Sequence, residues 1–138
     1  INKEAIICSV FDVDHFKSIN DTNGHLIGDE LLKVLANYCN SKMLKGDMFL
    51  ARYGGDEFVI VYRTSNIVKA IHHIKEIYHE LNSLVIEITE LKFNLSISMG
   101  LSYTELGEFK PFQDLFREAD EALYRSKQKG RKLLSMYS

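Results

Sequence analysis

The chain has 138 residues, 46% hydrophobic and 26% charged, an ordinary globular balance and enough length to bury roughly 70% of the surface its unfolded form exposes. Seventeen Lys and Arg against nineteen Asp and Glu leave a formal charge of −2, which argues against non-specific nucleic-acid binding, a function that wants a strongly basic face. No apolar run approaches the ~20 residues that span a bilayer, so no membrane contact by this domain is expected.

Residues 1–138 read as a single domain without repeats, low-complexity tracts or a Pro/Gly-rich linker. The chain opens at Ile1 almost directly in a strand, and it reads as a piece of a longer protein. Cys8 and Cys39 lie in apolar patterns and suggest small core residues rather than a disulfide framework. A reducing, cytoplasmic setting follows, with the membrane status of the parent protein left open.

Residues 5–11 form a short apolar run, read as a buried central strand that stops at Asp12-Val13-Asp14. The two acids point the same way because strand side chains alternate with a period of two. Asp14 is positioned to cap the following helix. Capping leaves Asp12 unexplained, and a carboxylate at a strand end is where metal-dependent phosphoryl chemistry commonly keeps a ligand. A short polar helix over His15–Asn23 ends at the cap pair Asn23-Gly24. Gly28-Asp29 then opens a longer helix, with Leu31, Leu32, Leu35, Tyr38, Cys39 and Met43 on its core face and Asp29 in its first turn.

Apolar runs flank Gly54-Gly55-Asp56-Glu57, the pattern of a β-hairpin whose turn holds both glycines. Residues 66–82 form an amphipathic helix through Ile67, Ala70, Ile71, Ile74, Ile77, Tyr78 and Leu81. His72, His73 and His79 fall beside that stripe and do not share a face, which argues against a metal site there. Period-two patterning then predicts one strand at Val85–Ile88 and a second through Phe93, Leu95, Ile97, Met99 and Leu101. Pro111 starts the last long helix, with Phe112, Leu115, Phe116, Ala119, Ala122, Leu123 and Ser126 inward. Lys127, Lys129, Arg131 and Lys132 gather at its end, followed by a short strand at 132–136. The class is α+β, a mixed, mostly antiparallel central sheet flanked by helices.

Neighbouring strands lie about 4.8 Å apart, so Asp12 at a strand end and Asp56 at a hairpin tip can share one cation. With the Val13 carbonyl they make an oxygen-only site suited to Mg²⁺, which completes its shell with substrate phosphates. A nucleoside triphosphate is the natural ligand class.

Four segments together resemble the GGDEF-domain diguanylate cyclases across nearly the whole chain: DVDHFKSINDTNGHLIGDEL from Asp12 to Leu31, RYGGDEF from Arg52 to Phe58, SISMGLS from Ser96 to Ser102, and READEALYRSKQKGR from Arg117 to Arg131. The resemblance implies a fold like the palm of adenylyl cyclases and polymerases. It implies that two GTP, one on each of two facing protomers, condense to cyclic di-GMP and two pyrophosphates. It also implies two Mg²⁺ or Mn²⁺ per active site, and an upstream sensory domain that brings two copies together.

Carried over by residue, Asp12, Val13 and Asp56 are the metal ligands, and Asp56 is where the family's general base is drawn. Glu57 helps hold the second ion or orients the loop, and Gly54 and Gly55 admit the α-phosphate against backbone. The N–H groups of His15 and Phe16, with Lys17, take the β- and γ-phosphates. Lys127 and Arg131 are further triphosphate clamps. Asn20 and Asp29 read guanine, and His25 either shapes that pocket or is structural. A subgroup making mixed cyclic dinucleotides has serine at the position of Asp29, so the aspartate favours GTP.

The sequence departs from the family pattern at Lys45-Gly-Asp-Met48, where an Arg-x-x-Asp product-inhibition motif is expected, and it lacks the family's N-terminal helix. A second reading is a non-catalytic GTP-binding or signalling module, which usually carries a damaged signature. A polymerase fragment lacks the basic surface a template would need.

Overall fold

The computed structural model describes residues 3–138. Its elements run β1 (Ala5–Val13), α1 (Phe16–Asn23), α2 (His25–Ser41), β2 (Met48–Arg52), β3 (Glu57–Thr64), α3 (Ile67–Leu81), β4 (Val85–Ile88), β5 (Leu91–Asn94), β6 (Ile97–Tyr103), α4 (Phe112–Gln128) and β7 (Leu134–Met136). Five strands form one sheet in the order β2-β3-β1-β6-β7, antiparallel except for the β6–β7 pair, and β4 with β5 forms a separate hairpin. The α+β class read from the sequence is the class observed.

β1 is central because both of its faces are apolar, as a strand covered on two sides must be. Ile7, Phe11 and Val13 pack into the larger core with α2 and α3, while Cys8 and Val10 pack against Leu115, Ala119 and Leu123 of α4. Phe11 and Phe58 are direct cross-strand partners whose rings stack at 5.3 Å. Such a pair adds about 1 kcal/mol beyond its buried area, and it lies immediately behind the Asp12 end of β1. α4 rests so closely on β6 that a Cβ at Gly100 would lie 2.1 Å from the Ala119 carbonyl oxygen. Both cysteines are free and buried, and burial pushes each thiol up to about 12.

Five local expectations need correction. α2 begins at His25, so Gly28 and Asp29 lie inside the helix and its first turn holds no acid. Gly28 reflects close packing rather than a helix start: a Cβ there would sit 1.7 Å from Asn20 Oδ1. Asp14 does not cap α1. That position is His15, in the left-handed region at φ 59°, with no side-chain cap bond. The single strand expected from Phe93 to Leu101 is two, β5 and β6, in different sheets. Alternation persists across the break because Phe93, Leu95 and Ile97 all face one core, while Asn82 Oδ1 accepts from Ile97 N–H at 2.8 Å where β6 begins. Pro111 precedes α4 as its cap, and Phe112 is half exposed instead of inward. Glu118 is buried instead, paired with Lys110 at 3.0 Å.

Candidate active site

The β2–β3 turn is short and tied. Tyr53 N–H donates to the Glu57 carbonyl at 2.7 Å, Glu57 N–H donates to the Gly54 carbonyl at 3.1 Å, and Arg52 Nε braces the Gly55 carbonyl at 2.7 Å. Gly54 and Gly55 both take positive φ, 62° and 32°, which a side chain would resist. Glu57 stands directly opposite Asp12 in the β1–β3 register, so Asp56, just ahead of β3, falls level with Val13 at the end of β1.

Asp12, Val13, His15, Phe16, Lys17, Asp56, Lys127 and Arg131 line one cleft of ≈ 300 Å³, together with Asp14 and Ser18. The strand end, the α1 N-terminus, the hairpin tip and the end of α4 thus meet at one place. The first N–H groups of α1 have no helical carbonyl to bond, which makes this turn a ready anion site. Gly54, Gly55 and Glu57 are the immediate neighbours of Asp56 in the turn. Asn20, on α1, is half-buried against α2, with its Oδ1 enclosed and unpartnered. His25 and Asp29 are exposed on the first two turns of α2 and do not line this cleft.

Asp12 is buried and its two oxygens fare differently. Oδ2 accepts from Lys127 Nζ at 2.5 Å, while Oδ1 is enclosed without a partner. Burial pushes the Asp12 carboxyl above the usual carboxylate range; Lys127 opposes this, and Asp56 and Asp14 add to it. The Glu57 carboxyl is also pushed up, by burial first and then by Asp120 and Asp12. Among the described residues no three His, Cys, Asp or Glu side chains converge as a metal cage. Two carboxylates and a backbone carbonyl are instead the donor set of a hard cation that keeps substrate or water oxygens, and the orphaned Oδ1 fits such a cation.

Asp14 takes a role the sequence reading missed. Its Oδ2 accepts from Ser96 Oγ at 2.6 Å and from Lys132 N–H at 3.1 Å, and its Oδ1 accepts from Ser98 Oγ at 2.7 Å. Ser96 and Ser98, two apart as Asp12 and Asp14 are, carry the only signal that would have pointed to this pairing. Asp120, beside Glu57, was also missed. α4 closes in a Schellman cap: Gly130 N–H donates to the Lys127 carbonyl at 3.3 Å and Arg131 N–H to the Ser126 carbonyl at 3.0 Å. Arg131 and Lys132 follow at φ 67° and 52°, left-handed conformations that cost a side-chain-bearing residue about 1–2 kcal/mol each.

A family model described as "Diguanylate cyclase, GGDEF domain" matches residues 2–133. The chain belongs to the GGDEF diguanylate cyclase family. It is 37% identical over 134 residues to the probable diguanylate cyclase DgcI of Escherichia coli K12, matching 96% of this chain and 28% of that protein. Against diguanylate cyclase A of Treponema denticola the figures are 33% identity, 97% and 36%. The chain therefore spans about a third or less of these relatives' lengths. The GGDEF domain of DgcB from Caulobacter crescentus, solved in complex with c-di-GMP, superposes with a TM-score of 0.84 at 30% identity, covering 96% of this chain and 78% of that one. The GGDEF domain of PA1120 from Pseudomonas aeruginosa gives a TM-score of 0.88 at 25% identity, covering 98% and 83%. Where the resemblance to the family leads one to expect an Arg-x-x-Asp motif, Lys45 is exposed and Met48 buried.

Proposed function

We propose that residues 1–138 form one GGDEF domain that is half of a diguanylate cyclase active site, binding one GTP and completing the reaction when a second GGDEF protomer faces it with another. The observation that carries this reading is the cleft itself, where Asp12, Asp56, the α1 N-terminus, Lys127 and Arg131 converge around a buried carboxylate oxygen with no protein partner. Asp12, the Val13 carbonyl and Asp56 would hold the cation, Mg²⁺ or Mn²⁺, with two per site. Bound there, the metal would supply charge for the departing pyrophosphate and make the attacking 3′-hydroxyl more acidic.

The chain's own groups do the rest. The N–H groups of His15 and Phe16 and the Lys17 side chain bind the β- and γ-phosphates, and Gly54 and Gly55 let the α-phosphate approach the turn. Lys127, paired with Asp12, would offer its charge to the phosphates alongside Arg131. Asn20 and Asp29 read the guanine edge, since a carboxylate accepts from N1–H and N2–H together and adenine offers no such pair. His25 borders that pocket. Asp56, as a ligand, is a weak base. Glu57, beside Asp56 in the turn, would help hold the second ion or orient the loop. An upstream sensory domain in the parent protein, in the cytoplasm or at its membrane face, would set how often two copies meet.

The test is to fuse the domain to a dimerising coiled coil and incubate it with GTP and Mg²⁺. Cyclic di-GMP and pyrophosphate in a ratio of one to two are expected. GTP binding without any cyclic product would mean a binding module instead.

A further inference from the structure

We infer that Asp14 is a positioning residue that sets the two halves of the phosphate site in register; this rests on the reading of the cleft as a triphosphate site. Those halves come from opposite ends of the chain, the β1–α1 turn at 12–17 and the α4 exit at 127–131. Asp14 belongs to both. Its backbone leads directly into the His15–Phe16–Lys17 turn and donates its N–H to the Ser96 carbonyl at 2.8 Å. Its side chain is fully enclosed and accepts from Lys132 N–H, the residue after Arg131. Arg131 Nε lies 4.0 Å from Asp14 Oδ1, at the outer limit of an ion pair.

The hold is built on both sides. Lys132 N–H is shared at 3.1 Å between Asp14 Oδ2 and Ser98 Oγ, and Ser98 Oγ in turn donates to Asp14 Oδ1 at 2.7 Å. Arg131 and Lys132 occupy consecutive left-handed conformations, which persist only when surroundings over-determine them. Here the surroundings are Asp14 and the two serine hydroxyls. Both carboxylate oxygens are engaged, so Asp14 differs from Asp12 in having no oxygen to spare for a ligand. Its effect on GTP runs through Arg131, whose guanidinium it aims at the phosphates.

The test measures affinity for an α,β-methylene GTP analogue and for GMP, in Mg²⁺, for wild type, Asp14→Asn, Arg131→Ala and the double variant. Asp14→Asn is expected to weaken the analogue about tenfold, the usual effect of losing a group that orients a ligand-binding residue. GMP, which lacks the β- and γ-phosphates, should change by less than about twofold, and adding Asp14→Asn to Arg131→Ala should cost little more. Ser98→Ala, which removes one bond from each of Asp14 and Lys132, should act in the same direction more weakly and serves if Asp14→Asn does not fold. Equal losses for both ligands, an unchanged ratio in Asp14→Asn or Ser98→Ala, or additivity with Arg131→Ala would overturn the inference. Wild-type protein binding the analogue no better than GMP would remove the triphosphate reading beneath it as well.

Discussion

The two flanks of the β1 terminus carry buried carboxylates two residues apart, and they are treated in opposite ways. Toward the hairpin, Asp12 and Glu57 face each other with Asp56 and Asp120 nearby, and both carboxyls are pushed up. One ammonium, Lys127, serves that flank, and Asp12 Oδ1 is left without a partner. Toward β6, Asp14 is equally buried, yet two hydroxyls and a backbone N–H saturate it. A carboxylate completed by fixed protein donors belongs to the fold. One left short of donors in a cleft is organised for something that arrives later.

That contrast can be broken by mutation. The largest expected effect is on chemistry: Asp12→Ala or Asp56→Ala should lower cyclic di-GMP formation roughly a thousandfold, the size expected when a metal worth several kcal/mol loses a ligand. In Asp56→Ala the melting temperature should stay unchanged or rise, because like-charge repulsion with Asp12 is relieved, whereas Asp12→Ala also strands its partner Lys127 and should lower it. Asp14→Ala should do the reverse first. It strips Ser96 and Ser98 of their acceptor, leaves Lys132 N–H with Ser98 Oγ alone, and should cost about 3 kcal/mol in denaturant unfolding. If Asp56→Ala unfolds the protein and Asp14→Ala does not, the assignment of the two flanks is inverted.

Gly28→Ala should come next. The new methyl would collide with Asn20 Oδ1, so about 1–3 kcal/mol of overpacking is expected. Guanine recognition should suffer with it, read as a smaller preference for GTP over ATP in competition binding. Adding Asn20→Ala should relieve the strain without restoring that preference.

The smallest effect is on pH dependence. The folded state holds protons on Asp12 and Glu57 to higher pH than the unfolded chain does, where the ordinary values are 3.8 and 4.5. Their contribution to stability is therefore fully present below those values and declines as pH rises through the raised folded values. Metal-free protein should thus lose stability on going from pH 4 toward neutrality relative to an Asp12→Asn variant. Mg²⁺ with GTP should bind more tightly as pH rises over the same range, since it competes with those protons. A flat difference between wild type and Asp12→Asn would show that burial of Asp12 is already offset by Lys127.

Much of this arrangement is legible in the sequence. Patterning gives the buried β1, the hairpin and the amphipathic helices, because each pairs a clear period with turn residues. Asp12 and Asp56 can be placed side by side because a strand end and a hairpin tip are neighbours once their strands pair. Asp14 was misread because a helix cap and a long-range hydroxyl acceptor look alike in sequence, and its partners lie 82 and 84 residues away. Gly28 was misread for a related reason: the glycine answers to Asn20 on another helix, not to its own helix start. The β5–β6 break was invisible because periodicity reports which side faces a core, not which strand is the partner.

In the proposed reaction a divalent cation sits between Asp12 and Asp56 and carries a guanine nucleotide's phosphates. The most direct test of that placement is a crystal grown with Mn²⁺ and a GTP analogue, located by the anomalous signal of the metal. A peak is expected within coordination distance of Asp12 Oδ1, the Val13 carbonyl and Asp56, with phosphate oxygens completing the shell. A peak held by Glu57 and Asp120 instead, with Asp12 still paired to Lys127, would contradict it.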